Sequence, residues 1–201
     1  MARDRRARPQ AESLRLFVAV DMPDEVKEPL AGAIQLWRDR LGTGRWVPSE
    51  NWHVTLKFLG RTWPRLVPMV TSVGGEVAAG ADPFPVTLSG LGVFPGPGRA
   101  RVLWAGLDDR EERMVELAAA LDAGLAKEFP PEKRAFTPHL TVARFNPPVP
   151  MREHAEALAA TEVTAPEFVV DRLVLYRSHL SPRGARYEAL EEFPLGKGRG
   201  R

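Results

Sequence analysis

Two of the four histidines are each followed, two positions on, by a threonine: His53-Val54-Thr55 and His139-Leu140-Thr141. With 9 Thr in 201 residues, a given histidine has such a neighbour in roughly 4 to 5% of cases and two of four do so about once in eighty, so chance explains the pair poorly. Residues i and i+2 of a strand point to one side, so each imidazole shares a face with its hydroxyl. Two such strands facing one another would surround a ligand with two imidazoles and two hydroxyls. That set suits phosphodiester chemistry. One neutral histidine takes a proton from an attacking oxygen, and one protonated histidine gives a proton to the leaving oxygen. The Thr55 and Thr141 hydroxyls can donate to the non-bridging phosphate oxygens. Strict alternation puts Lys57 on the face of His53 and Thr55, where it is expected to add positive charge for substrate binding. Nothing in this set requires a metal: a metal site would normally add a carboxylate or a third histidine, and neither motif carries one beside its histidine. No cofactor is expected either.

The elements that must position these residues can be read from periodicity. Residues 14–20 alternate within a short apolar run and read as a buried strand. From Asp24 the period changes, with Val26, Leu30, Ile34, Trp37 and Leu41 at helical spacing and Gly42 and Gly44 as a stop. Pro29 falls early in this helix and is expected to cap or kink its first turn. Residues 52–59 alternate again, with Trp52, Val54, Leu56 and Phe58 on one face. A helix over 66–79 is weakened by Pro68, Gly74 and Gly75. Strands are expected over 84–91 and 101–107, a helix over 110–129 with Met114, Leu117, Leu121 and Leu125 in one stripe, and a strand over 136–145. A short helix over 153–160 and strands over 168–176 and 185–190 complete the order. Neither GxGxxG nor GxxxxGK[ST] occurs, so the alternation of strands and helices lacks a phosphate loop.

A repeat runs through this order. The two His-x-Thr strands lie 86 residues apart, and Leu16-Phe17-Val18-Ala19-Val20 resembles Val102-Leu103-Trp104-Ala105-Gly106 at the same offset. Two strand-helix-strand units of equal length imply a duplicated, pseudo-two-fold fold. The helix stripes do not keep the register, so the duplication rests on the strands.

Composition bounds the rest. The chain is 44% hydrophobic and 27% charged, an ordinary globular profile able to bury a core. It has no Cys, which excludes disulfides, zinc-thiolate sites, iron-sulfur clusters and cysteine nucleophiles. No apolar run approaches a membrane span or a signal-peptide core, so a cytoplasmic protein with no membrane partner is expected. Arg3, Arg5, Arg6 and Arg8 crowd one end and Lys197, Arg199 and Arg201 the other; without these seven bases and Asp4, 21 basic residues face 25 acidic ones. The tails, 1–13 and 193–201, are read as basic and disordered, flanking a single domain over 14–192. A monomer is expected.

Beyond these patterns, NWHVTLKFLG (Asn51 to Gly60) and FTPHLTVAR (Phe136 to Arg144) resemble the two HxTx signatures of the 2H phosphoesterase superfamily. RLFVAVDMP, RVLWAGL and LVLYRSHLSPRGARYEAL are similar to the bacterial and archaeal RNA 2',3'-cyclic phosphodiesterases, formerly called 2'-5' RNA ligases. The similarity runs from about Arg15 to Leu190. It implies a two-lobed α+β fold whose antiparallel sheets flank a central cleft, with helices outside. It implies His53 as proton donor, His139 as proton acceptor, and Thr55 and Thr141 as phosphate ligands. Arg144 also matches the family pattern as a substrate-binding residue, although strict alternation turns it away from His139, so a bulge or its long reach must bring it in. RNA ends or small cyclic nucleotides are the implied partners, and opening of a 2',3'-cyclic phosphate to a 2'-phosphomonoester the implied reaction. The competing readings are a nucleotide- or RNA-binding module without turnover, and a related activity such as 2'-5' RNA ligation or hydrolysis of another cyclic nucleotide. Intact His and Thr in both motifs argue against the first. His154 reads as a surface residue and His179 as a loop residue.

Overall fold

A computed structural model describes residues 12–182 and 184–196. Of the tails expected over 1–13 and 193–201, residues 1–11 and 197–201 lie outside the described residues, whereas Phe193 and Leu195 are buried and β9 runs to Pro194. The elements run β1 (Leu14–Asp21), α1 (Asp24–Leu41), β2 (Arg45–Trp46), β3 (His53–Thr62), α2 (Val67–Ala79), β4 (Phe84–Phe94), β5 (Ala100–Asp108), α3 (Arg113–Leu125), β6 (His139–Val149), α4 (Ala155–Ala159), β7 (Phe168–Val170), β8 (Arg172–Ser181) and β9 (Gly184–Pro194).

The strands follow one antiparallel path, β7-β4-β5-β6-β3-β1-β8-β9, with β2 added against β6. The sequence-predicted duplication is visible in that order. Four strands lie on each side of the β6/β3 junction, and each half takes a strand from the other repeat: β4 pairs with β5, and β8 pairs with β1. The expected strand over 168–176 is therefore two strands. It breaks at Asp171, so that β7 joins β4 while β8 joins β1. No period-2 pattern reports such a change of partner.

The halves meet at a single bridge, Val54↔Leu140. Beyond it β3 and β6 diverge, and β2 occupies the wedge through the pairs Arg45↔Arg144 and Trp46↔Ala143. The equivalent wedge in the other half begins at Pro130-Pro131, 86 residues on from Gly44-Arg45. Proline has no N–H to give a ladder, so no counterpart of β2 forms there.

Helices cover the face away from the cleft. In α1, Val26, Leu30, Ile34 and Trp37 are buried, as their spacing predicts. Asp24 and Glu25 favour its N-terminus and Arg38 and Arg40 its C-terminus, and Gly42 ends it at φ 57°. Pro29 lies inside this helix, which continues through it. In α3, Met114, Leu117, Leu121 and Leu125 are buried; truncating such a leucine to alanine costs about 2–5 kcal/mol. The weakly patterned α2 does form. Pro68 falls in its first turn, where the missing N–H costs nothing. The Phe193 ring lies against Gly74, where a Cβ would come within 2.8 Å of it.

One register correction matters for the site. Val18 pairs with Lys57 and Ala19 with Thr55, while Leu103 pairs with Ala143 and Trp104 with Thr141. The first strands of the two repeats are thus equivalent at an offset of 85, one less than the 86 that relates β3 to β6.

Candidate active site

His53 opens β3 and His139 opens β6. With Val54 opposite Leu140, antiparallel register puts His53 opposite Thr141 and Thr55 opposite His139. The four side chains form a quadrilateral on one face of the junction. All four are half-buried, while Val54 and Leu140 between them point into the core.

Each imidazole is anchored alike. The His53 Nδ1 lies 2.8 Å from the Asn51 carbonyl oxygen and the His139 Nδ1 2.7 Å from that of Thr137. A carbonyl only accepts, so Nδ1–H donates in both rings and Nε2 is left for exchange. Asn51 and Thr137 are themselves 86 apart, so the duplication extends to the atoms that fix the tautomers. A short 3-10 turn over Ser49–Asn51 presents the first carbonyl, and the Asn51 side chain ties that turn to the β8–β9 hairpin through its Nδ2 to the Ala185 carbonyl, at 3.0 Å.

The surroundings are not alike. His53 stacks on Phe17 at 4.8 Å between centroids and meets the edge of Tyr187 at 5.0 Å. This burial pushes its pKa down to about 4, with Arg144 adding to the effect, against the opposing Asn51 hydrogen bond and the nearby Asp21. In the empty cleft His53 is therefore neutral at pH 7. His139 meets Phe94 edge-on at 5.1 Å and Trp104 at 6.5 Å. The Trp104 indole lies across Gly92, where any Cβ would collide with it.

Lys57 does not enter the cleft. It is 1% exposed, and its ammonium is paired with Asp122 of α3 and donates to the Pro130 carbonyl oxygen at 2.9 Å. The cause is a bulge. Between Ala19↔Thr55 and Val18↔Lys57, β3 has one residue more than β1, so Leu56 is the extra residue and the alternation changes parity after it. Lys57 turns inward and Phe58, expected on the face of Val54 and Leu56, becomes 44% exposed. The same bulge recurs at Val142 of β6, between Trp104↔Thr141 and Leu103↔Ala143. There it brings Arg144, the counterpart of Phe58, to the cleft.

Sequence reasoning singled out none of Arg45, Phe94 and Tyr187. A cavity of about 570 Å³ beside His53 and Thr55 is lined by Arg15, Arg45, Phe58 and Arg144. His179 belongs to β8 rather than to a loop, and its Nε2 lies 2.6 Å from Glu188. His154 is half-buried beside Trp37, at 6.0 Å between rings.

Two histidine-threonine strands abutting across a pseudo-two-fold axis, each ring with Nδ1 tied back and Nε2 free, define a phosphoesterase of the two-histidine kind. Comparison with known proteins agrees. The family model of the 2'-5' RNA ligase superfamily matches residues 23–182, and the chain belongs to that family. It is 32% identical to the RNA 2',3'-cyclic phosphodiesterase of Methanothermobacter thermautotrophicus over 184 residues, covering 90% of this chain and 99% of that protein. The crystal structure of a Thermus thermophilus protein superimposes with a TM-score of 0.75 at 31% identity, over 93% of this chain and all of that one. Escherichia coli LigT in complex with 3'-AMP superimposes with a TM-score of 0.69 at 28% identity, over 92% and 99% of the two chains.

Proposed function

We propose that this protein hydrolyses 2',3'-cyclic phosphate ends of RNA to 2'-phosphomonoesters by acid-base catalysis between its two histidines. The observation that carries the reading is the junction register, which sets two imidazoles and two hydroxyls around one space. The activity named for relatives about 30% identical over most of the chain supports the substrate.

In the reaction, a water oxygen attacks phosphorus, the P–O3' bond breaks, and the product keeps phosphate on O2'. His139 Nε2 takes the water proton and His53 Nε2–H gives a proton to O3'. Thr55 and Thr141 donate to the non-bridging oxygens, and Arg144 offsets their charge. Burial favours the neutral His53 ring in the free protein, so in this reading the ring takes up its proton as substrate binds. The phosphate anion favours the imidazolium, and binding raises the pKa. The lowered pKa of the free protein by itself would favour the opposite assignment, with His53 as base.

The test is product analysis on an oligonucleotide ending in a 2',3'-cyclic phosphate, in EDTA. A 2'-phosphate end is the expected product. No turnover, a 3'-phosphate product, or turnover restored only by a divalent ion would overturn the proposal.

A further inference from the structure

Arg45 and Arg144 face each other directly on the antiparallel pair β2/β6. Like charges in this position repel and destabilise a sheet. Neither is in a salt bridge with a carboxylate among the described residues. A guanidinium nitrogen of Arg45 reaches to within 3.5 Å of the Cβ position of Gly184, so the side chain lies across toward the β8–β9 hairpin. Arg15 joins them from β1, its guanidinium stacked on the cleft-facing Phe58 ring at 4.6 Å. All three line the cavity beside His53, which accounts for an arrangement that costs stability: a fixed concentration of positive charge awaiting an anion.

Arg144 is near enough to act on the His53 charge and, in the reaction proposed above, meets the reacting phosphate; the anion awaited by Arg45 is a different one. Thr141 pairs with Trp104 and Arg144 with Val102, two positions along β5, so the backbone of Arg45, opposite Arg144, is about 7 Å from the histidine-threonine level at roughly 3.3 Å per residue, and its side chain runs toward the β8–β9 hairpin. The site is also one-sided. Position 131, equivalent to Arg45, is proline, and among the described residues no counterpart of β2 pairs beside Phe58 as β2 does beside Arg144. A substrate held at the pseudo-two-fold centre thus has a charged path leading away in one direction only.

Resting on the function proposed above, we infer that Arg45, with Arg15 and beside Arg144, forms a subsite for the phosphodiester joining the terminal nucleotide to the one before it. The substrate is then an RNA strand end rather than a free cyclic mononucleotide. Guanidinium groups bind phosphate oxygens through charge-assisted, often bidentate hydrogen bonds, which suits a planar pair at a strand junction.

The experiment compares two dinucleotides with the same 2',3'-cyclic phosphate end, one with a natural internal linkage and one with a neutral methylphosphonate there. Wild-type protein should show kcat/KM about tenfold higher for the charged linkage. Arg45→Gln should bring that ratio close to one, and Arg38→Gln, on the exposed surface of α1, should leave it intact. Binding of the corresponding dinucleotides with 2'-phosphate ends should show the same preference, and removing one arginine–phosphate pairing should reduce its salt slope by about 0.7. Arg45→Gln should not lower the melting temperature of the free protein, because it relieves a repulsion. Equal rates and affinities for the two linkages in the wild type would overturn the subsite. Failure of every substrate to turn over, with the charge preference in binding kept, would instead overturn the hydrolytic reading alone.

Discussion

Around His53 the first half of the molecule places a stacked Phe17, the edge of Tyr187 and an added strand carrying Arg45. Around His139 the second half places the edges of Phe94 and Trp104, with Pro130-Pro131 where that strand would lie. The anchors within each repeat are nonetheless the same: a histidine at a strand start, a carbonyl two residues back, a threonine two residues on and a bulge after it. Duplication therefore supplies a symmetric pair of exchangeable nitrogens. Divergence outside the pair makes them unequal, and acid-base chemistry on an asymmetric phosphodiester needs them unequal.

The largest expected effect comes from breaking the pair. His53→Ala and His139→Ala should each lower kcat/KM by about 10²–10⁴-fold, the usual size of general acid-base catalysis. A substrate with a better leaving group at the 3' position should rescue His53→Ala more than His139→Ala, because a good leaving group needs no proton. Equal rescue, or rescue of His139→Ala alone, would reverse the assigned roles. The pH profile cannot decide this by itself: a bell with one limb near 4 follows whether His53 acts as acid or as base.

A second contrast concerns position 57 and its counterpart, Ala143. Lys57 is a buried cation whose partner Asp122 also accepts from the Glu132 backbone N–H at 3.1 Å, so the pair ties β3 to α3 and to the segment leading into His139. Asp122→Ala should destabilise the fold by up to about 3–5 kcal/mol, since it leaves the buried ammonium only the Pro130 carbonyl and the more distant Glu132 carboxylate, at 4.0 Å. Lys57→Met should cost less. Denaturant unfolding of both variants measures the difference, and a milder Asp122→Ala would mean that water reaches the ammonium. The Lys57 hydrogen bond also holds the Asp122 pKa below its ordinary value. A lowered carboxylate adds stability above its unfolded pKa and loses it as the pH falls through the folded one. Wild-type protein should therefore lose stability toward acid more steeply than Asp122→Asn.

Lys57 also marks where the sequence ceased to be legible. Alternation from His53 put it beside the catalytic groups, and the bulge at Leu56 moved it to the core. The signal was present in the other repeat, where apolar Leu140, Val142, Ala143 and Phe145 change parity at Val142-Ala143 and leave Arg144 polar between them. Laid over β3, that pattern predicts Lys57 inside and Phe58 outside. The His-x-Thr pairs were readable because i and i+2 stay on one face however a strand bends later. Arg45 was not: β2 spans two residues, too few for any period, and it exists because β3 and β6 part after one bridge. The division of one apolar run into β7 and β8 was hidden for a similar reason, as partner choice leaves no mark on burial.

The inequality of the two rings can be measured directly. In the free protein the His53 C2 proton should titrate with a midpoint of about 4 by NMR, and saturating inorganic phosphate should raise it, as an anion beside the ring favours the imidazolium. A midpoint that stays low with phosphate bound would leave His53 without a proton to give. Phe17→Ala should raise the empty-cleft value, since it lets water reach the ring.

The smallest effects should come from the threonines, and their equality is the test. Register places Thr141 beside His53 and Thr55 beside His139, so each hydroxyl comes from the opposite repeat to the histidine it faces. In the proposed reaction each would donate to one phosphate oxygen, so Thr55→Ala or Thr141→Ala should cost about 0.5–1.5 kcal/mol in kcat/KM, or more if the bond tightens in the transition state. If the phosphate sits on the pseudo-axis, the two losses should agree and the double variant should show their sum. If the Arg45 side draws the substrate off the axis, one threonine bears more of the charge, and its variant should lose more with an oligonucleotide than with a cyclic mononucleotide. Unequal losses that persist with the mononucleotide would place the asymmetry in the histidine surroundings themselves, where Phe17 and Tyr187 on one side are not matched by Phe94 and Trp104 on the other.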